Sequence, residues 1–398
     1  MKHNSSHKPT IGIVLSTVPK YSETFFRNKI KGLIDYGFNV ILFVDYTRHE
    51  DVDFQCKVVT SYNFNEGLLK TFRNSCKAIF KSIFYHPKRS YLLYQLNKKD
   101  GLRFKTNIKQ LIVNQFLLTQ NLDWLHFGFG MLAVNRENVA ESIEARMAVS
   151  FRGFDLYLSP LKHEGCYNRL FSKNVNYHVL SEEMKSDLIN QQINQNRITV
   201  ITPAINVSFF NSDKTKIQGK PVKIITVARL HWKKGLEYTL EALKILEQMG
   251  CDFHFTIIGE GGEYERLMFA AHQLQIMHKV SFKGKLPHES VKEHLEASDI
   301  YLQYSVQEGF CNAVLEAQAM GLMCIVSNAE GLSENVMHNK SGWVVPKRKP
   351  NLLAKKIREV IYLDEVEKKT IREFAVKRVR SQFGLEDQNL SFLKFYRD

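Results

Sequence analysis

At 398 residues the chain is too long for one ordinary core and fits two domains of about 200 residues each. Its 44% apolar and 24% charged residues describe a globular, soluble protein, no run approaches the ~20 apolar residues of a membrane span, and the segment MKHNSSHKPT lacks the apolar centre of a signal peptide, so the expected location is the cytoplasm. A formal net charge of +14 points to a polyanionic surface or substrate as partner.

Seven short runs rich in β-branched and aromatic residues punctuate the first half: 11–16, 39–44, 57–60, 124–129, 148–151, 177–181 and 198–203. Most are followed by a helical pattern, the signature of a parallel sheet covered by helices on both faces. Residues 211–221 (NSDKTKIQGKP) are polar and serve as a linker; the alternation then restarts with strands at 222–228, 254–259, 279–282, 299–304, 323–327 and 343–346. Helices are expected near 235–250, 262–275, 288–298, 311–321 and 351–364, and 365–398 is helical. The chain thus divides into an N-terminal α/β domain (1–210), the linker, a second α/β domain (222–364) and a C-terminal segment (365–398) that packs back toward the first domain. Ligands of such sheets bind outside the carboxyl ends of the strands.

Six scattered cysteines, Cys56, Cys76, Cys166, Cys251, Cys311 and Cys324, form no CxxC pair and have no histidine at zinc-finger spacing, so they are read as reduced thiols. The positive charge is concentrated. Between Glu66 and Gln110 eleven basic residues (Lys70, Arg73, Lys77, Lys81, Lys88, Arg89, Lys98, Lys99, Arg103, Lys105, Lys109) face two acidic ones, interleaved with Phe72, Phe80, Phe84, Tyr85, Tyr91, Tyr94 and Phe104. Cations mixed with aromatic rings suit anionic lipid headgroups, and no nucleic-acid module accompanies them.

The segment from Gln307 to Gly321 (QEGFCNAVLEAQAMG) follows a strand and opens a helix. Gly309 permits a close turn, the free N–H groups of the first helical turn suit a phosphate, and Ala313, Ala317 and Ala319 allow tight packing on the sheet. Eight helical residues would place Glu308 and Glu316 roughly 12 Å apart, about the sugar-to-ribose span of a nucleotide-linked sugar. The segment resembles the E-x7-E motif of family 4 glycosyltransferases, worded EGF-x-NAVLEA-x-A-x-G. The resemblance implies a GT-B fold, with two Rossmann-like domains whose parallel sheets face a central cleft, and a retaining, metal-independent transfer from a UDP- or GDP-linked sugar to a glycan or lipid-linked acceptor. It implies that the residue at Glu316 binds the donor ribose and the one at Glu308 contacts the transferred sugar, with Gly309, Phe310, Cys311 and Asn312 lining the donor.

Further segments fit the same family. Ala228 to Gly235 (ARLHWKKG) is similar to its R-L-x-x-x-K-G turn, which makes Arg229 and Lys234 the clamp on the donor diphosphate. Gly259, in Ile257-Ile258-Gly259-Glu260-Gly261-Gly262, resembles its strand-to-glycine turn; a dinucleotide fingerprint would require glycine where Tyr264 stands, which argues against a dehydrogenase. Lys283 and Leu286 fall in a loop like the one whose main chain reads the base. Asn328, Glu330 and Ser333 depart from the family wording T-D-x-G-G-L-P-E. On the acceptor side, Pro19 to Phe25 resembles the F-P-x-x-S-E-T-F opening of members that build bacterial surface polysaccharides, which nominates Ser22, Glu23 and Thr24. His126, in a segment like H-x-H-F-G, is expected at a strand's carboxyl end, touching the transferred sugar, and Arg152 stands where T-F-H-G-x-D has histidine. No cofactor or metal is expected, although Asp51-Val52-Asp53 spells the D-x-D of cation-dependent transferases. An enzyme on the inner face of the cytoplasmic membrane is therefore expected. The alternatives are a GT-B phosphorylase or nucleotide-sugar epimerase, and a basic membrane- or nucleic-acid-binding protein without activity.

Overall fold

The computed structural model describes residues 8–19, 24–46, 54–64, 67–212 and 219–397. All thirteen strands expected from the alternation are present, in two parallel sheets that belong to two separate compact units. One unit is Met1–Val179, Lys185–Ile201 and Asn389–Asp398; the other is Leu180–Met184 and Thr202–Gln388.

The first unit holds β1 (Thr10–Thr17), β2 (Asn39–Tyr46), β3 (Lys57–Thr60), β4 (Trp124–Phe127), β5 (Arg146–Ser150), β6 (Val175–Val179) and β7 (Ile198–Val200), in the order β3-β2-β1-β4-β5-β6-β7. Both faces of β1 are covered, as expected of a continuous apolar run. Ile11 pairs with Val40 on one side and with Trp124 on the other, and Ile11, Ile13, Leu42 and Val44 pack on Ile30 and Leu33 of α1 (Thr24–Asp35). Three helices, α2 (Leu68–Phe84), α3 (Pro87–Lys99) and α4 (Phe104–Asn114), fill the excursion between β3 and β4. They contain most of the basic stretch noted in the sequence.

The second unit holds β8 (Val222–Val227), β9 (Phe253–Ile258), β10 (Val280–Phe282), β11 (Ile300–Gln303), β12 (Met323–Ser327) and β13 (Trp343–Val345), in the order β10-β9-β8-β11-β12-β13. Its helices are α5 (Leu236–Gln248), α6 (Tyr264–Gln273), α7 (His288–Glu296), α8 (Asn312–Ala319), α9 (Pro350–Ile361) and α10 (Glu365–Gln382). Leu240 and Leu243 of α5 meet Leu353 and Ile357 of α9 above Ile224 and Phe255. The C-terminal segment is helical as expected and consists of two helices. Gly384 precedes α11 (Leu385–Arg397), of which the residues from Asn389 onward belong to the first unit: Phe392, Phe395 and Tyr396 are buried there, and Trp124 Nε1 donates to the Tyr396 carbonyl at 3.0 Å.

Candidate functional site

Strand order reverses between β8 and β11, which leave the sheet toward opposite sides, and the crevice at such a switch point is where open parallel sheets bind ligands. The family-like segments of the second unit follow the carboxyl ends of β8, β9, β10, β11 and β12. They are stitched together by the main chain. Leu230 N–H donates to the Glu260 carbonyl at 2.9 Å, Gly259 N–H to the Gly284 carbonyl at 2.8 Å, and Val306 N–H to the Lys233 carbonyl at 2.7 Å.

Two of these crossings require glycine. Gly235 has φ 60°, and a Cβ there would lie 2.2 Å from the Tyr304 carbonyl oxygen. Gly259 has φ 142°, and its Cβ would lie 1.9 Å from the Ala228 carbonyl oxygen. A main-chain atom cannot swing aside as a side chain can, so Gly259→Ala is expected to destabilise the second unit by about 3 kcal/mol or more, read as a lower denaturant midpoint.

The turn after β8 carries Arg229, which is exposed, and Lys234, which is largely enclosed. Lys234 forms a short ion pair with Glu308, each side chain retaining 16% exposure. Burial alone would lower the ammonium's pKa; the charge and hydrogen bond of Glu308 overcome it, so the pKa is raised and Lys234 is a cation at neutral pH. Glu308 is held from behind as well. Its N–H donates to Glu330 Oε2 at 2.9 Å, and Glu330 Oε1 accepts from Lys347 at 2.9 Å.

Residues 308–311 are not helical: Glu308 lies before the helix, as its position ahead of the expected 311–321 helix implies, so the helical rise assumed for the spacing of the two glutamates does not hold over these residues. Helix α8 starts at Asn312, because Cys311 is extended (φ −126°, ψ 111°) and clamped by Asn335, whose side chain accepts from Cys311 N–H at 3.0 Å and donates to its carbonyl at 2.9 Å. Arg378 fixes Asn335 in turn, donating to its carbonyl at 2.7 Å. The ~12 Å derived from helical rise therefore does not apply to the pair. Gly309, Phe310 and Cys311 are buried within this clamp, and burial pushes the Cys311 thiol up to about 12, leaving it inert; Asn312 is half-buried at the helix start. Ala317 and Ala319 are buried against the sheet as expected of small residues.

Glu316 lies in the second turn of α8, and among the described residues its carboxylate has no hydrogen-bond or ion-pair partner. Some of its surface is open, yet the carboxyl is crowded enough that burial raises its pKa from 4.5 to about 7. Electrostatics mark the neighbourhood as continuous: Lys234 is influenced by Glu308, Cys311 and Arg229, and the Tyr301 phenol of β11 by Cys311 and Glu316. Lys283 is exposed and Leu286 half-buried in the loop after β10.

The first unit treats its candidates differently. Instead of presenting an edge to a sugar, His126 is fully buried: Nε2 is 2.7 Å from Ser150 Oγ, and Nδ1 is 2.5 Å from the Tyr396 hydroxyl and 3.4 Å from Lys29 Nζ. Ser150 Oγ reaches His178 Nδ1 at 2.8 Å, and His178 Nε2 reaches the Ile201 carbonyl at 3.1 Å. That carbonyl can only accept, so hydrogens run from Tyr396 through His126 and Ser150 to His178, with both imidazoles neutral. Burial holds both histidines well below their usual pKa. His126 is thus a core residue, and the ring that excludes it from solvent belongs to α11. Arg152 caps a short helix beginning at Gly153 and lays its guanidinium 4.2 Å from the Phe25 ring centroid. Ser22, Glu23 and the Asp51–Asp53 pattern lie outside the described residues; Thr24 opens α1. Among the described residues no three His, Cys, Asp or Glu side chains gather as metal ligands.

Glu330, Lys347, Asn335 and Arg378 were missed as site residues. Glu330 stands among positions that depart from the family wording, and Asn335 and Arg378 lie 24 and 67 positions beyond Cys311 with no motif around them.

Residues 207–375 match the family described as glycosyl transferases group 1. Two relatives match most of the chain. WcaL of Escherichia coli (strain K12), provisionally named a colanic acid biosynthesis glycosyltransferase, is 27% identical over 94% of this chain and 96% of its own length. The amylovoran biosynthesis glycosyltransferase AmsK of Erwinia amylovora is 27% identical over 84% and 86%. Among solved structures, a glycosyltransferase from Rickettsia africae ESF-5 superposes with a TM-score of 0.71 at 19% identity, covering 98% of each chain. Anabaena Alr3699/HepE in complex with UDP gives 0.71 at 14% identity, covering 98% and 99%. The chain therefore has the GT-B fold, and its residues 207–375 are similar to the glycosyl transferases group 1 family.

Proposed function

We propose that the protein is a retaining glycosyltransferase of family 4 that moves a hexose-type sugar from a UDP- or GDP-linked donor to an acceptor hydroxyl during assembly of a bacterial surface polysaccharide or lipid-linked glycan. The observation that carries this reading is the cluster at the β8/β11 switch point: a largely enclosed, charged Lys234 beside exposed Arg229, paired Glu308, and the crowded carboxyl of Glu316, without a partner among the described residues. The relatives' names supply the polysaccharide context, and the UDP-bound neighbour supports a nucleotide donor.

A carboxylate with no protein partner is a poor structural element and a good acceptor for two ribose hydroxyls, which supports the ribose role that the family resemblance implies for Glu316. Lys234 and Arg229 then meet the diphosphate, and Glu308 orients Lys234 beside the sugar. In the reaction the C1–O bond to the diphosphate breaks and a C1–O bond to the acceptor forms on the same face. The acceptor proton passes to the departing phosphate oxygen, whose charge Lys234 and Arg229 balance. These two cations supply the charge that a metal ion provides in cation-dependent transferases, so metal independence is part of the proposal.

The test is the anomeric configuration of the product, followed by proton NMR with a chelator present throughout. Retention at C1 with full activity is expected. Inversion, phosphate-dependent cleavage of the product, or loss of turnover on chelation would each contradict the proposal.

A further inference from the structure

Helix α2 is amphipathic the wrong way round. Placed at 100° per residue, Leu68, Leu69, Phe72, Cys76, Ile79, Phe80 and Ile83 occupy one arc of about 120°. That arc faces solvent: Leu68 is 91% exposed, Phe72 72% and Ile83 57%. The inner arc is made of Thr71, Asn74, Ser75, Ala78 and Ser82, small or polar, with Thr71 Oγ1 donating to the Phe64 carbonyl at 2.8 Å and Asn74 Nδ2 to the Asn63 carbonyl at 2.7 Å. Between the two lies a third arc, Lys70, Arg73, Lys77 and Lys81.

We infer that α2 lies flat on an anionic lipid bilayer with its outward apolar arc in the acyl boundary and its row of cations on the headgroups. An exposed apolar face of this size marks a contact surface, and the neighbouring charge selects the partner. Helices α2, α3 and α4 contain ten Lys and Arg residues and no Asp or Glu. A second copy docking through this face would set cations against cations, whereas an anionic bilayer satisfies both the charge and the apolar arc. Phe84 and Tyr85, each about two-thirds exposed, sit against Phe80 with ring centroids 4.5 and 6.3 Å away and add rings suited to the headgroup level. Arg89 is not part of it, being tied to the carbonyls of Leu118 and Gln120 at 2.8 and 2.9 Å. Among the described residues no helix is long and apolar enough to cross the membrane, so α2 would lie in the interface rather than span it.

Co-sedimentation of the full chain with phosphatidylcholine vesicles, with and without phosphatidylglycerol, tests this. Binding is expected only with phosphatidylglycerol and is expected to weaken as salt rises. Phe72→Ser/Phe80→Ser/Ile83→Ser should weaken it at least about a hundredfold with the circular-dichroism melt unchanged, because these side chains leave no core contact behind. Arg73→Gln/Lys77→Gln should weaken it about twenty-five-fold, at roughly fivefold per cation. Equal binding to both vesicles, no binding to either, or wild-type binding by the variants would overturn the inference. So would a dimer in sedimentation equilibrium that the serine variant disperses, which would give the face to a second copy. Donor hydrolysis measured on the same samples reads the proposed reaction separately, so either proposal can fail alone.

Discussion

Lys234→Met lowers donor turnover by about 10²–10³-fold, the loss expected when one preorganised charge partner of a departing oxyanion is removed. The effect is large because Lys234 is already enclosed and oriented before any donor arrives. Gly235 sets the turn, Val306 pins the Lys233 carbonyl, and Glu308 holds the ammonium. Removing the ammonium also leaves the Glu308 carboxylate enclosed without its cation, so the variant is expected to lose on the order of 1–3 kcal/mol of stability. The double variant Lys234→Met/Glu308→Gln separates the two consequences. Stability returns toward wild type because neither charge is left alone, while turnover stays low because the leaving group still lacks its counter-charge. Steady-state rates and denaturation curves on the wild type and these two variants check both halves; recovery of turnover in the double variant would show that Lys234 acts only by balancing Glu308.

Glu316→Gln has the opposite signature: it stabilises the free protein and disables it. Burial raises the Glu316 carboxyl from 4.5 to about 7, so the folded state favours the proton more than the unfolded chain does. The penalty for ionising it is absent below the unfolded value, grows between the two, and is complete above pH 7. At pH 8 the neutral amide escapes that penalty, a gain on the order of 2–3 kcal/mol for the second unit, and the gain disappears near pH 4.5. Donor use is expected to fall by about 10²-fold or more, because an amide presents one acceptor oxygen and an N–H₂ group where two ribose hydroxyls need acceptors. In the wild type the donor KM is expected to rise as pH falls through 7 and the carboxylate is protonated, with the inflection missing in Glu316→Gln. Thermal melts at pH 8 and pH 5 and a pH series of KM check this; a destabilised variant at pH 8 would mean that Glu316 has a partner in the folded protein.

The parallel sheets were legible because each β-branched run is short and bounded, and runs such as IGIVLS and VKIITV, buried over most of their length, are too short to be core helices. The donor-side turns were legible because glycine and charge are required at fixed offsets from strand ends: Gly235 and Gly259 approach neighbouring carbonyls too closely for any side chain. What local pattern could not show was long-range packing. His126 looks like a strand-end ligand until Tyr396, 270 positions later, closes over its ring. The helix containing Glu316 begins four residues after Glu308 because Asn335 holds Cys311 extended, and nothing near Cys311 announces Asn335. The basic, aromatic stretch was visible as composition, but its outward orientation depends on which face of α2 meets the residues around Asn63 and Phe64.

The most direct measurement is slow hydrolysis of a panel of UDP- and GDP-sugars by the wild-type protein, Glu308→Gln and Glu316→Gln. If the β8/β11 crevice holds the donor, the wild type hydrolyses at least one member and both substitutions reduce that rate by tenfold or more, about 1.4 kcal/mol. No hydrolysis or binding of any donor, or turnover within about threefold of wild type in both variants, contradicts it.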